Sequence, residues 1–435
     1  MANARLLAVQ LLDKTFQKNG FSNIVLDSAL KDSQLSVQDK KFCTAVYYGV
    51  LERKITLDHI ISQYCRQMKK LDSMVVNILR TGIYQILYMD SVPDNSAVDE
   101  SVKLTRKTGR SRFSGLVNAV LRNFIRDGRE IKFPQNRCEM LSVKYSAPSW
   151  LVRKFINEYG SDFALAMLEA SVMKPPVNIR LNNLCADEKS LFENSGGFEF
   201  VKKDFIENNY ELKGSGDVTL IPAFEKGMFH VQDSASQLCC MALNPQKNDI
   251  VIDICSAPGG KAFTMAEMME NTGCIYAFDL HEKRVGLIKN GAKRLGIRNI
   301  KAQTGDAAVF NDKIPPADKI LCDVPCSGLG VIRRKPEIKY KNPDDFKNLP
   351  EIQYKILENA SKYLKKGGEL VYSTCTLNKS ENEGVIKKFL QNHPEFKGVS
   401  FLTELGEPFS DFAVTLSPQY FYCDGFFISK IMRIK

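Results

Sequence analysis

Two short stretches each place a cysteine directly after an apolar, β-branched run: Asp323-Val-Pro-Cys326 after Ala317–Cys322, and Thr374-Cys375-Thr376 after Glu369–Ser373. A lone free cysteine usually packs as a small hydrophobe. Two thiols at the ends of two strands of one sheet, with the Asp323 carboxylate beside one of them, suit nucleophilic chemistry instead. The reaction they suggest is methylation of a carbon that is not itself nucleophilic, such as carbon 5 of a pyrimidine. Thiolate addition at carbon 6 makes carbon 5 enamine-like, so that it attacks an electrophilic methyl group; loss of the carbon 5 proton then expels the thiol. An ordinary thiol, with a pKa of about 8.5, needs local activation for this. Asp323 is a candidate to hold the base edge and handle a proton at ring nitrogen 3.

The methyl donor is read from Asp253–Lys261, Asp-Ile-Cys-Ser-Ala-Pro-Gly-Gly-Lys. The run 249–254 has the look of a buried parallel strand and 262–269 reads as helix. Gly259 and Gly260 therefore occupy a strand–turn–helix junction, where no Cβ blocks a ligand and the helix start offers unpaired N–H donors. Neither a dinucleotide G-x-G-x-x-G nor a P-loop is present: position 255 is Cys and Lys261 is followed by Ala262, which leaves phosphate cradling without support. The next strand candidate, 274–278, ends at Asp279, 26 positions after Asp253. That spacing suits a carboxylate gripping a ribose diol. A ribose without a pyrophosphate points to S-adenosyl-L-methionine; the plainer alternative is an ordinary glycine-rich turn.

These residues need a sheet to hold them. From the cofactor turn onward strands and helices alternate: helix 282–295, strand 300–303 followed by Gly305-Asp306, strand 317–322, helix 349–364 and strand 369–373. Such alternation predicts a doubly wound parallel sheet, whose ligands collect at the carboxyl ends of the strands, and each residue singled out sits at such an end. The apolar run 425–434 is expected to add an edge strand. Residues 4–129 show helical periodicity throughout. Between Ser101 and Lys132 nine Lys/Arg, among them Lys103, Arg106, Lys107, Arg110, Arg112, Arg122, Arg126 and Arg129, face two acids, a one-sided balance that suits nucleic acid better than a merely solvated face. Helices are expected from Ser149 to Tyr159 and on to Met173, then short strands at 177–181, 198–201, 218–221 and 228–231.

At 435 residues with a net charge of +10, two or three domains and a polyanionic partner are expected. Twelve cysteines accompany only four histidines, without C-x-x-C pairs, so no metal is expected. No signal-peptide pattern and no run of eighteen apolar residues occurs, which predicts a cytoplasmic protein with reduced thiols and no membrane partner.

The motifs from Asp253, from Asp323 (Asp-Val-Pro-Cys-Ser-Gly-Leu-Gly) and from Ser373 (Ser-Thr-Cys-Thr, with Glu381-Asn382-Glu383 beyond) together resemble the signatures of the RNA cytosine-carbon-5 methyltransferase family. With a helical N-terminal part that resembles the NusB-like RNA-binding domain, the chain is similar to the bacterial members that act on 16S ribosomal RNA. The resemblance implies a multidomain fold: an all-α NusB-like domain over 1–135, a small α+β RNA-recognition module over 140–225, and an α/β class I (Rossmann-like) methyltransferase domain over 226–435. It implies Cys375 as nucleophile and Cys326 as the thiol that helps release the product. Cys255, Ser256, Ala257, Pro258, Gly259, Gly260 and Lys261 would line the S-adenosyl-L-methionine loop, with Asp279 on the ribose, Asp306 on the adenine side, and Asp323 on the methionine side and target base. Ser256 stands where alanine is common. The segment with Asn178, Ile179, Arg180 and Asn182 resembles the family's RNA-facing module. Cys43, Cys65, Cys138, Cys239, Cys240 and Cys423 are expected to pack, and the enzyme to act as a monomer. A DNA cytosine methyltransferase would instead use the thiol after Pro325, and a non-catalytic assembly factor would need neither thiol.

Overall fold

Helix Ser73–Tyr88 is buried on nearly every side from Val75 to Ile83, as a helix surrounded by others must be. Asp72 caps it, its carboxylate accepting from the backbone N–H of Met74 at 2.9 Å. Around it lie helices Ala4–Lys18, Ser22–Lys31, Val37–Tyr64, Asp94–Lys107 and Ser114–Arg126. Their inward stripes share one core, with Leu12, Val46, Val50, Leu57, Ile60, Leu79, Leu121 and Phe124. The computed structural model describes residues 3–18, 22–214 and 216–435. The chain divides into two units, residues 1–174 with 332–341, and residues 175–331 with 342–435. In the first, helices Arg137–Lys144, Ser149–Tyr159 and Ser161–Ala170 follow the bundle. The segment 332–341 is anchored there: Ser22 Oγ donates to Glu337 at 2.9 Å, Lys339 Nζ to the Glu52 carbonyl at 3.0 Å and Tyr340 OH to the Leu51 carbonyl at 2.7 Å.

The second unit holds two sheets. In the smaller, β1 (Val177–Leu181), β2 (Glu199–Lys202), β3 (Asn209–Lys213) and β4 (Phe229–Val231) pair antiparallel in the order β2-β3-β1-β4. Two expectations need correction here. The stretch 218–221 is not a strand: Val218–Leu220 is a 3-10 turn, because Asp217 accepts from the Thr219 backbone N–H at 2.9 Å and its hydroxyl at 2.7 Å and closes the chain locally. The third strand is instead β3, whose Tyr210 and Leu212 are buried; its Glu and Lys depress β propensity and hide the alternation.

The larger sheet contains β5 (Ile250–Asp253), β6 (Cys274–Asp279), β7 (Ile300–Thr304), β8 (Ala317–Asp323), β9 (Leu364–Thr374), β10 (Phe396–Gly398), β11 (Ala413–Leu416) and β12 (Phe426–Arg433). Its order is β10-β12-β9-β8-β5-β6-β7, with β11 also on β12. β5, β6, β7, β8 and β9 run parallel, and helices such as Gly260–Met268, Glu282–Arg294 and Leu349–Ser361 connect them. The final strand is not at the edge. It lies antiparallel between β9 and β10, and Phe426–Ile431 are all buried, Lys430 with its ammonium 3.0 Å from Glu369, as a strand paired on both sides must be. Strand order reverses between β5 and β8, so the crevice of the sheet opens between the turn after β5 and the loop after β8.

Candidate active site

Gly259 has φ +109°, a conformation open to glycine, and a Cβ there would come within 2.5 Å of the Phe263 ring. Two cavities border this turn and the neighbouring strand ends. One, about 210 Å³, is lined by Cys255, Ser256, Ala257, Pro258, Gly260 and Lys261 of the turn together with Asp253 and Asp323. The other, about 360 Å³, is lined by Phe278, Gly305, Asp306, Phe310 and Tyr363. Asp279 is in the wall of neither. Its carboxylate takes the His281 backbone N–H at 3.1 Å and the Arg284 guanidinium at 2.9 Å, and Arg284 also holds the Ala257 carbonyl at 2.8 Å. Arg284 thus ties the turn to the end of β6, a link that the residue alone, in the first turn of a basic helix, did not advertise.

Asp253 is 1 % exposed and neither of its carboxylate oxygens has a hydrogen-bond partner. Burial pushes its pKa up to about 7, because the loss of water from the charged form outweighs the nearby Ser256 hydroxyl and Lys261 ammonium. A buried carboxylate left in this state beside a cavity is a place for a bound donor or cation.

Across the crevice, Lys261 Nζ donates to Asp323 Oδ2 at 2.7 Å, and Ser373 Oγ to Asp323 Oδ1 at 2.7 Å. Burial works against the Lys261 ammonium, but the Asp323 carboxylate outweighs it and the pKa lies above the ordinary lysine range. Asp323 is thereby fixed between the cofactor turn and the strand that leads into Cys375.

The two thiols meet. Cys326 Sγ and Cys375 Sγ are 3.1 Å apart. The loops that carry them are laced together by Glu381, whose Oε2 accepts from the Ser327 backbone N–H at 2.9 Å and Gln353 Nε2 at 2.8 Å, and whose Oε1 accepts from Asn378 Nδ2 at 2.8 Å. Thr374 Oγ1 donates to Asn382 Oδ1 at 2.6 Å. Gly330 lets the loops approach: its N–H donates to the Cys375 carbonyl at 3.0 Å, and a Cβ on it would lie 1.9 Å from the Gly425 carbonyl oxygen. The contact with Cys375, and then burial, raise the pKa of Cys326 well above the ordinary thiol range. Burial also raises those of Cys255, Cys239, Cys240 and Cys322, which makes these poor nucleophiles.

In the segment that resembles the RNA-facing module, the side chains singled out from the sequence are turned inward. Asn178, Ile179, Arg180 and Asn182 are buried. Arg180 is held two-pronged by Glu267 at 2.9 and 3.0 Å, Asn178 Nδ2 donates to Ser234 Oγ at 3.1 Å, and Asn182 Nδ2 to the Gly227 and Leu295 carbonyls at 2.9 Å each. These polar side chains seat the small sheet on the helices of the larger one. On the basic run of the helical unit, Lys103, Arg110, Arg122, Arg126 and Arg129 pair with Glu100, Asp72, Asp99, Asp127 and Asp94, those of Arg122 and Arg126 at 3.9 Å, and Arg106, Lys107 and Arg112 make no ion pair among the described residues. Cys43, Cys65, Cys239, Cys240 and Cys423 are buried, and Cys138 is partly so. Among the described residues no His/Cys/Asp/Glu cluster is arranged for a metal ion and no helix is long and apolar enough to cross a membrane.

The chain resembles known proteins over nearly its whole length. Residues 240–432 match the family described as 16S rRNA methyltransferase RsmB/F, and residues 2–126 match the NusB family. The probable ribosomal RNA small subunit methyltransferase B of Bacillus subtilis is 37% identical over 99% of both chains. The ribosomal RNA small subunit methyltransferase B of Escherichia coli O1:K1 is 31% identical, again over 99% of both. The crystal structure of PH0851 superposes with a TM-score of 0.83 at 26% identity, covering 100% of this chain and 99% of that one.

Proposed function

The chain belongs to the RsmB/F family of 16S rRNA methyltransferases, and from that premise we propose that it transfers a methyl group from S-adenosyl-L-methionine to carbon 5 of a cytosine in 16S ribosomal RNA through a covalent cysteine–cytosine adduct. The observation that carries this reading is the 3.1 Å between the Cys326 and Cys375 sulfurs. Methylation at carbon 5 needs a thiol to add to carbon 6 and help in expelling it afterwards, and two converging thiols suit both tasks.

The residues present fit the cofactor. Cys255–Lys261 would hold it along the turn, with Asp279 on the ribose, Asp306 and Phe310 on the adenine side, and Lys261 and Asp323 at the methionine end. When bound, it supplies an electrophilic methyl group on a sulfonium. Cys375 adds to carbon 6 of the cytosine. Cys326, its sulfur 3.1 Å from that of Cys375, is assigned to assisting the elimination that releases the product. Asp323, immobilised by Lys261 and Ser373, holds the base edge at ring nitrogen 3. Hydrogen bonds through Glu381 and Asn382 hold the loops that carry Cys326 and Cys375 together, which orients the two thiols for a bound base. The helical part, 1–135, and the small module, 140–225, are assigned to RNA, and 226–435 to methyl transfer, in a cytoplasmic monomer.

Bisulfite sequencing of total RNA from cells lacking the gene tests the reading. One 16S cytosine should lose its protection and regain it on complementation with the wild-type chain but not with Cys375→Ala. A lost position in transfer RNA alone, or none, contradicts it.

A further inference from the structure

A cavity of about 1100 Å³ in the helical unit lies between helices Ala4–Lys18, Val37–Tyr64 and Ser73–Tyr88. Its wall includes Phe16, over whose ring sit the Arg80 guanidinium, 5.0 Å from the centroid, and Lys54 Nζ, 5.6 Å away. Arg80 is 8 % exposed and fixed at the floor by Asp58, at 2.6 and 2.9 Å, and by Asn77 Oδ1 at 2.7 Å. The lip is the segment Arg66-Gln67-Met68-Lys69-Lys70, with Arg66, Lys69 and Lys70 exposed. None of these three cations has an acidic partner among the described residues, whereas five of the eight on the 103–129 face do. Three cations without acidic partners thus stand where there is also an aromatic wall and room for a base.

We propose that this cavity is an RNA-docking pocket and takes an unpaired nucleotide, the base against Phe16 and the flanking phosphates at Arg66, Lys69 and Lys70. The proposal rests on the reading of the chain as an enzyme of RNA. A single-stranded nucleotide supplies both what the lip and what the wall can bind, since phosphates pair with free cations and a base plane stacks on an aromatic ring. An acidic peptide satisfies the lip alone, because its carboxylates bring no planar ring to stack on the aromatic wall. Arg80 is a positioning residue: its bonds to Asp58 and Asn77 hold it against Phe16 and keep the ring face fixed.

The test uses the full chain and a short single-stranded RNA containing 4-thiouridine. Photocross-links mapped by mass spectrometry are expected at Phe16 or within 66–70. Arg66→Gln/Lys69→Gln/Lys70→Gln should lower RNA affinity roughly ten-fold and reduce the salt slope by about 2, since each single-strand phosphate contact contributes about 0.7. Phe16→Leu should lower affinity roughly ten-fold with the slope unchanged, because stacking releases no counterions. Lys103→Gln/Arg106→Gln/Lys107→Gln, on helix Asp94–Lys107 outside the cavity wall, should do less than the first triple variant. Wild-type affinity and slope in the 66–70 variant, cross-links confined to 103–129, or displacement by poly-glutamate better than by unlabelled RNA would each overturn the pocket while leaving methyl transfer intact. A wild-type chain that neither binds RNA nor restores the bisulfite signal would overturn the proposed function with it.

Discussion

Lys261 Nζ lies 2.7 Å from Asp323 Oδ2, so the glycine turn after β5 and the loop that leads to Cys326 are joined by one charged hydrogen bond. Lys261→Met should break this join and leave the Asp323 carboxylate half-buried without its cation, at a cost of roughly 3 kcal/mol. The folded chain should bind S-adenosyl-L-methionine more weakly by calorimetry and lose methyl transfer. Because the Lys261 pKa is raised on folding, the pair's stability is fully present below the ordinary lysine pKa, about 10.4, and fades only as pH climbs through the higher folded value. The difference in melting temperature between wild type and variant should therefore stay constant from pH 5 to 9, a range chosen to lie below about 10.4; a difference that collapses near neutrality would contradict the pairing.

Asp253 should make the cofactor-free protein less stable as pH rises. Its folded pKa is pushed up to about 7 by burial against an ordinary value of about 3.9. A carboxyl group raised in this way favours the folded state fully below the ordinary value and loses that contribution as pH rises through the folded one, by up to about 4 kcal/mol. Asp253→Asn should flatten the slope of stability between about pH 4 and 7, measured by denaturant melts at several pH values. An unchanged slope would show that Asp253 is hydrated or paired in solution.

Glu381 accepts three hydrogen bonds from three donors that converge on the thiol loops. Glu381→Gln turns one acceptor into an N–H₂ group facing those donors, which should cost roughly 2–4 kcal/mol. Thiol-dependent turnover should fall by more than ten-fold while S-adenosyl-L-methionine affinity, governed by the turn after β5, stays within about two-fold; 1.4 kcal/mol marks each ten-fold step. Equal losses in both would mean that the whole sheet edge, and not the thiol loops, had moved.

The motif residues were legible because in a parallel α/β sheet chemistry gathers at strand ends, and strand ends can be read from short apolar runs followed by glycine, proline or aspartate. Asp253–Lys261, Asp279, Asp323, Cys326 and Cys375 all follow that rule. What brought them together was not legible. Ser373 and Glu381 act through bonds to residues 50 and 54 positions away, and no local pattern announces such a partner. Polar residues mislead most. Arg180, Asn178 and Asn182 look like RNA-contacting groups in the sequence, yet a buried polar side chain with a full set of partners looks the same. The acidic partners of the basic run 103–129 were not legible either, since Asp72 and Asp94 lie outside it. Segment 332–341 reads as a charged loop after the Cys326 motif, but Lys339 is buried in the helical unit, where burial lowers its pKa to about 7.

The division of labour between the two thiols is tested most directly by denaturing electrophoresis of the purified chain incubated with S-adenosyl-L-methionine and unmethylated 16S RNA. Cys375→Ala should give neither a protein–RNA band nor product, because nothing adds to carbon 6. Cys326→Ala should add and methylate but stall, giving a protein–RNA band that survives denaturation. A band formed by Cys375→Ala and missing from Cys326→Ala would contradict the account and make Cys326 the nucleophile.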